Sequence, residues 1–157
     1  MQGLKDKKVM IVDDDTEFLE ELKEILVSNG YYTIAINDST TVLDAVKTQR
    51  PDLILLDLKM NGMNGFELAD SLKRMGATAL IPIIGISGII RMENYFEHNY
   101  FLKDFCHMFD KPFNPLELID KIEEILCEER TSYKKNEETL KRDILPTCFK
   151  SNYKNEI

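Results

Sequence analysis

The sequence predicts an α/β domain in which helices cover both faces of a five-stranded parallel sheet, a doubly wound arrangement over about residues 5–130. Three observations carry that expectation. Short apolar runs alternate with amphipathic stretches along the chain. One run, Leu53-Ile54-Leu55-Leu56, has no polar alternation, the pattern of a strand buried on both faces. The series closes on Asn114-Pro115-Leu116-Glu117, which combines an N-cap, a proline at the first helical position and a capping-box acid.

Val9-Met10-Ile11-Val12 is the first strand, and apolar residues at Phe18, Leu19, Leu22, Ile25 and Leu26 mark the helix after it, stopped by Asn29-Gly30. Aromatic and β-branched content makes Tyr31 to Ile36 the second strand. Thr41 to Gln49 is helical and ends at Arg50-Pro51, because proline disfavours helix in the residue before it. The third strand is Leu53 to Leu56, with Asp57 at its carboxyl end. Asn61-Gly62 and Asn64-Gly65 are turn signals ahead of a helix carrying Phe66, Leu68, Ala69 and Leu72 and closed by Gly76. Ile81 to Ser87 and Cys106 to Asp110 are the fourth and fifth strands, and alternation places a helix in residues 91–105 between them. Leu118, Ile119, Ile122, Ile125 and Leu126 form the apolar face of the last helix.

Composition narrows the function. The chain of 157 residues carries a formal net charge of −8. Six Lys or Arg against four Asp or Glu in residues 131–157 leave −10 on the body, a field that repels nucleic-acid phosphates. With no long apolar run and no apolar stretch near Met1, a cytoplasmic protein without a membrane segment is expected. Cys106, Cys127 and Cys148 lack metal-like spacing and read as reduced thiols, while His98 and His107 read as ordinary histidines.

Ligands of open α/β sheets bind beyond the carboxyl ends of the strands. Those ends carry Asp13, Asp14 and Asp15, then Asp57, then Ser87, then Asp110, Lys111 and Pro112. An Asp after a strand is commonly a helix cap: Asp14 with Glu17 would make a capping pair, and Asp15 fits a cap as well as it fits a ligand. Several carboxylates at one edge, however, repel one another and call for a cation, and an all-oxygen cluster suits Mg²⁺. Lys111, pinned by Pro112 and the helix start, lies where it could reach a phosphoryl oxygen, and Ser87 could donate to another.

Val12-Asp13-Asp14, Leu55-Leu56-Asp57, Gly62-Met63-Asn64-Gly65, Ile86-Ser87 and Lys111-Pro112-Phe113 together resemble the receiver domain of two-component response regulators, of the stand-alone, chemotaxis-receiver-like kind. The resemblance implies a flavodoxin-like sheet of order 2-1-3-4-5. It implies that Asp57 is the phosphoacceptor, that Asp13, Asp14, Asp57 and the main-chain carbonyl of Lys59 hold Mg²⁺, and that Ser87 and Lys111 contact the phosphoryl group. The donor would be a sensor histidine kinase or phosphotransfer protein, and the output a conformational change read by a downstream protein, with a homodimer allowed. Chemical turnover would be confined to self-phosphotransfer and slow loss of the aspartyl phosphate.

Three positions depart from the family's habit: Asn61 where proline is frequent, Gly88 where alanine is usual, and Met108 in place of the aromatic switch residue, flanked by His107 and Phe109. Two other readings compete. In a haloacid-dehalogenase-like phosphatase Asp13 would be the nucleophile, but Glu17 stands where that pattern wants threonine. A phosphorylation-independent interaction module would not need its complete set of acceptor residues. The sequence therefore reads as a receiver domain at 5–130 and a tail at 131–157, too short for a separate output domain, in which Leu140, Ile144 and Leu145 fit a short helix or a solvated strand of chain equally.

Overall fold

A computed structural model describes residues 6–88 and 102–128. Five strands, β1 (Lys8–Val12), β2 (Tyr32–Ile36), β3 (Leu53–Asp57), β4 (Ile83–Ser87) and β5 (His107–Asp110), form one sheet of order β2-β1-β3-β4-β5 in which every pairing is parallel. The helices are α1 (Thr16–Ser28), α2 (Val42–Gln49) with a 3₁₀ turn at Ser39–Thr41 before it, α3 (Gly65–Arg74) and α4 (115–128). The expected fold class and strand order are those observed.

The strand sequences explain the layering. β3 is buried along its whole length, from Leu53 to Leu56 at 0% exposure and on to Asp57, so helices must cover it on both sides. Alternate residues feed two cores. Val9, Ile11, Leu53, Leu55, Ile84, Ile86 and Phe109 pack with α1 and α4, while Met10, Val12, Ile54, Leu56 and Ile83 pack with α2 and α3. Each fully buried aliphatic side chain contributes about 1.5–3 kcal/mol.

Helix ends follow local chemistry with small differences from expectation. Asp15 caps α1, accepting from the backbone N–H groups of Glu17 and Phe18, and Asn29 with Gly30 at φ 90° ends it. Arg50 ends α2 in the left-handed region at φ 49°, an uncommon backbone for a non-glycine residue. α3 ends at Arg74 because Met75 is already extended, so the stop precedes the expected Gly76. β4 and β5 begin at Ile83 and His107, later than Ile81 and Cys106, since Ile81 caps a turn with Thr78 and Cys106 pairs its N–H with the Ile83 carbonyl just ahead of the ladder. Asn114 Oδ1 accepts from the Leu116 N–H at the start of α4, as its motif predicts. The helix expected in 91–105 falls mostly outside the described residues, as do His98, Cys148 and the 131–157 tail. Among the described residues no helix is long and apolar enough to cross a membrane.

Candidate phosphoacceptor site

Parallel register gathers four strand ends at one edge. Val12 pairs with Leu56, which puts Asp13 and Asp14 beside Asp57, while Asp57 pairs with Ile86 and Ser87 with Asp110, which brings Ser87 and Lys111 to the other side. Ser87 is 2% exposed, and its carbonyl accepts from the Lys111 N–H at 2.7 Å, tying the β5 exit to β4. Leu58 continues the ladder by donating to the Ile86 carbonyl.

The carboxylates of Asp13, Asp14 and Asp57 each offer an oxygen within 4.8 Å of the others. Asp13 and Asp57 are 1% and 5% exposed, which separates this cluster from an ordinary solvated acidic patch. Asp13 Oδ1 accepts from the Asp15 N–H, and Asp14 Oδ2 accepts from the Asn61 N–H at 2.9 Å, so Asp14 joins β1 to the loop after β3 and does not cap α1 with Glu17. The cap reading holds for Asp15 alone. Lys111 Nζ stands 2.6 Å from Asp13 Oδ2 and 3.9 Å from Asp57 Oδ1. Lys111 also lines a cleft of about 420 Å³ beside α1 and the start of α4.

Burial, and then the neighbouring Asp13 carboxylate, push the Asp57 carboxyl up to about 6 against the opposing pull of Lys111 and of the Lys59 backbone N–H. A nearly dry carboxylate held beside two others binds a cation or a proton readily. Three carboxylates, with no His or Cys joining them among the described residues, fit a hard divalent ion such as Mg²⁺. The Lys59 side chain is exposed and its N–H faces Asp57.

Three features escaped the sequence reading. Gly65 is required by close approach: a Cβ there would run into the Asp57 carbonyl oxygen and lie 2.7 Å from Leu58 Cα, so only glycine lets α3 start against the end of β3. The sequence marked it as part of the Asn64-Gly65 turn and of the Gly62-Met63-Asn64-Gly65 motif, without the close approach that requires it. The Asn61 backbone, noted as a turn position and for lacking proline, holds Asp14. Phe18, legible only as part of an apolar helix face, places its ring centroid 3.9 Å from Lys111 Nζ.

The family model for the response regulator receiver domain matches residues 9–123. This chain belongs to that family. It is 32% identical over 123 residues to the DNA-binding response regulator MtrA of Mycobacterium tuberculosis, covering 74% of this chain but 49% of MtrA, so it spans about half the length of that relative. It is 31% identical to sporulation initiation phosphotransferase F of Bacillus subtilis, covering 78% of this chain and 96% of that protein. Among solved structures, a CheY-like receiver domain protein of Methanospirillum hungatei superimposes with a TM-score of 0.72 at 28% identity, over 81% of this chain and 98% of that one.

Proposed function

We propose that residues 5–130 act as a receiver whose Asp57 carboxylate takes a phosphoryl group from a phosphohistidine on a sensor kinase or phosphotransfer protein. The observation that carries this reading is the trio Asp13, Asp14 and Asp57 within 4.8 Å, with Lys111 bridging two of them at the carboxyl edge of the sheet. An Asp57 oxygen attacks phosphorus in line, the bond from phosphorus to the donor nitrogen breaks, and an acyl phosphate forms as the histidine leaves. Asp13, Asp14, Asp57 and the main-chain carbonyl of Lys59 would hold Mg²⁺, which supplies positive charge to the transferring oxygens. Lys111 offers a second cation and Ser87 a hydroxyl donor to the remaining oxygens. Water attack on the acyl phosphate later returns Asp57, so turnover is limited to slow loss of the protein's own phosphate.

The signal passes to a protein partner in the cytoplasm, to a second copy of the chain or to both; the strongly acidic body, in a chain of net charge −8, disfavours direct contact with nucleic acid. Incubation with acetyl phosphate and Mg²⁺, followed by intact-mass spectrometry, tests the acceptor: one added phosphoryl group is expected in the wild type and none in Asp57→Ala. Labelling of Asp57→Ala would place the acceptor elsewhere.

A further inference from the structure

Lys111 is held by more than carboxylates. Its Nζ lies 3.9 Å from the centroid of the Phe18 ring, which also meets Phe113 edge-on with centroids 6.1 Å apart and planes at 87°. Lys111 and Phe113 flank Pro112, and both contact one ring of α1: an ammonium over its face and a second ring nearly perpendicular to it. Phe113 is in turn backed by Phe109, with centroids 5.5 Å apart. Phe18 itself is fixed one turn into α1 by the Asp15 cap, which accepts from the Phe18 N–H.

We propose that Phe18 is a positioning residue for Lys111, its ring face holding the ammonium at the edge of the acidic trio so that it meets the phosphoryl group on Asp57. This rests on the phosphoacceptor reading above. The shortest partner of Nζ is Asp13 at 2.6 Å, one of the carboxylates that a divalent cation would claim, whereas Asp57 is 3.9 Å away. An ammonium that loses Asp13 keeps its place only if something else attracts it, and a lysine with four rotatable carbons otherwise leaves for solvent. An aromatic face attracts a cation without a hydrogen-bond vector, so it tolerates the short travel from Asp13 toward Asp57.

The test compares wild type, Phe18→Tyr, which keeps the ring face, and Phe18→Leu, which keeps an apolar side chain without it. The Lys111 ε-methylene and ammonium resonances, read by NMR in the metal-free protein, should be shifted upfield by the ring current in wild type and Phe18→Tyr and return to ordinary lysine values in Phe18→Leu. Phosphorylation by acetyl phosphate at saturating Mg²⁺ should slow about three- to ten-fold in Phe18→Leu and be restored in Phe18→Tyr, with Mg²⁺ affinity unmoved in both. A purely structural role for Phe18 would lower the melting temperature without separating the two variants in rate. Equal rates in Leu and Tyr variants overturn the positioning role alone, whereas a wild type that takes no phosphoryl group overturns the phosphoacceptor reading and this role with it. Should Phe18→Leu fail to fold, an ordinary Lys111 shift in the wild type is sufficient to overturn the proposal.

Discussion

Consecutive residues of β5 meet the two faces of the sheet in opposite ways. Phe109 is buried against α1 and α4, where it touches His107 with centroids 4.8 Å apart and Phe113 at 5.5 Å, continuing to Phe18 and Lys111. Met108 faces α3 and drops its thioether into the space above Gly85, beside Phe105. One face is a run of rings with defined contact angles that ends on the site's lysine; the other sets a flexible side chain in a gap left by a glycine, beside the Phe66–Phe105 pair. The difference teaches that the ring contacts leading to the site's lysine lie on the face opposite to the family's switch position, while the Met108 face carries a separate ring pair.

The largest expected effect follows from that contrast. Phe109→Ala should cost about 3–4 kcal/mol of stability and Met108→Ala only about 1–2, because the ring leaves a cavity in a rigid cluster while the half-buried thioether leaves one its neighbours can fill. Urea denaturation of both variants gives the ranking, and a Met108→Ala loss equal to that of Phe109→Ala would break the comparison.

Between the two faces, Asp57 is held at a disadvantage. Its carboxyl stands near 6 in the fold against an ordinary 3.8, so the folded state binds the proton more tightly than the unfolded chain does. The resulting penalty is absent below pH 3.8, grows from there to about 6, and is fully present above it. Asp57→Asn should therefore stabilise the metal-free protein by about 2 kcal/mol at pH 7.5, the gain fading as the pH falls toward 4. Thermal melts across that range would contradict the account if the gain were independent of pH.

Gly85→Ala sharpens the thioether side. A Cβ at Gly85 would lie 2.8 Å from Met108 Cε and 3.0 Å from Phe105 Cδ1, so the methionine must move, at a cost of about 1 kcal/mol. Most of that loss should disappear in a Met108→Ala background, measured as a double-mutant cycle. Equal losses in both backgrounds would mean that the thioether does not occupy the gap. The smallest effect is expected at Gly88, where a Cβ would make ordinary contact with Lys111 Cδ at 3.9 Å and the backbone is not left-handed. Gly88→Ala should stabilise by about 0.4–1 kcal/mol through the unfolded chain, read as a rise in melting temperature.

What the sequence disclosed follows the range of the forces involved. β3 was legible because burial on both faces leaves an unbroken apolar run, and the start of α4 because Asn114 and Pro115 act within one turn. Asp13, Asp14, Asp57, Ser87 and Lys111 were legible through a motif pattern whose spacing reflects parallel register. Gly65 was seen as a turn and motif residue but its reason was not, since that comes from the carbonyl of Asp57 across a loop, and Phe18 was seen only as a core residue, since periodicity cannot tell a ring that packs from a ring that also faces an ammonium. The stop of α3 at Arg74 was missed because Met75 carries no breaker signal.

The central claim is that Asp13, Asp14 and Asp57 work as one hard-oxygen site and not as a set of local caps. A Mg²⁺ titration of the wild type beside Asp14→Ala, followed by calorimetry at pH 7.5, addresses it most directly. The account predicts that the Asp14 variant binds Mg²⁺ about ten-fold or more weakly, since one of three carboxylates is gone and the Asn61 loop is released with it. Unchanged affinity in Asp14→Ala would contradict the claim.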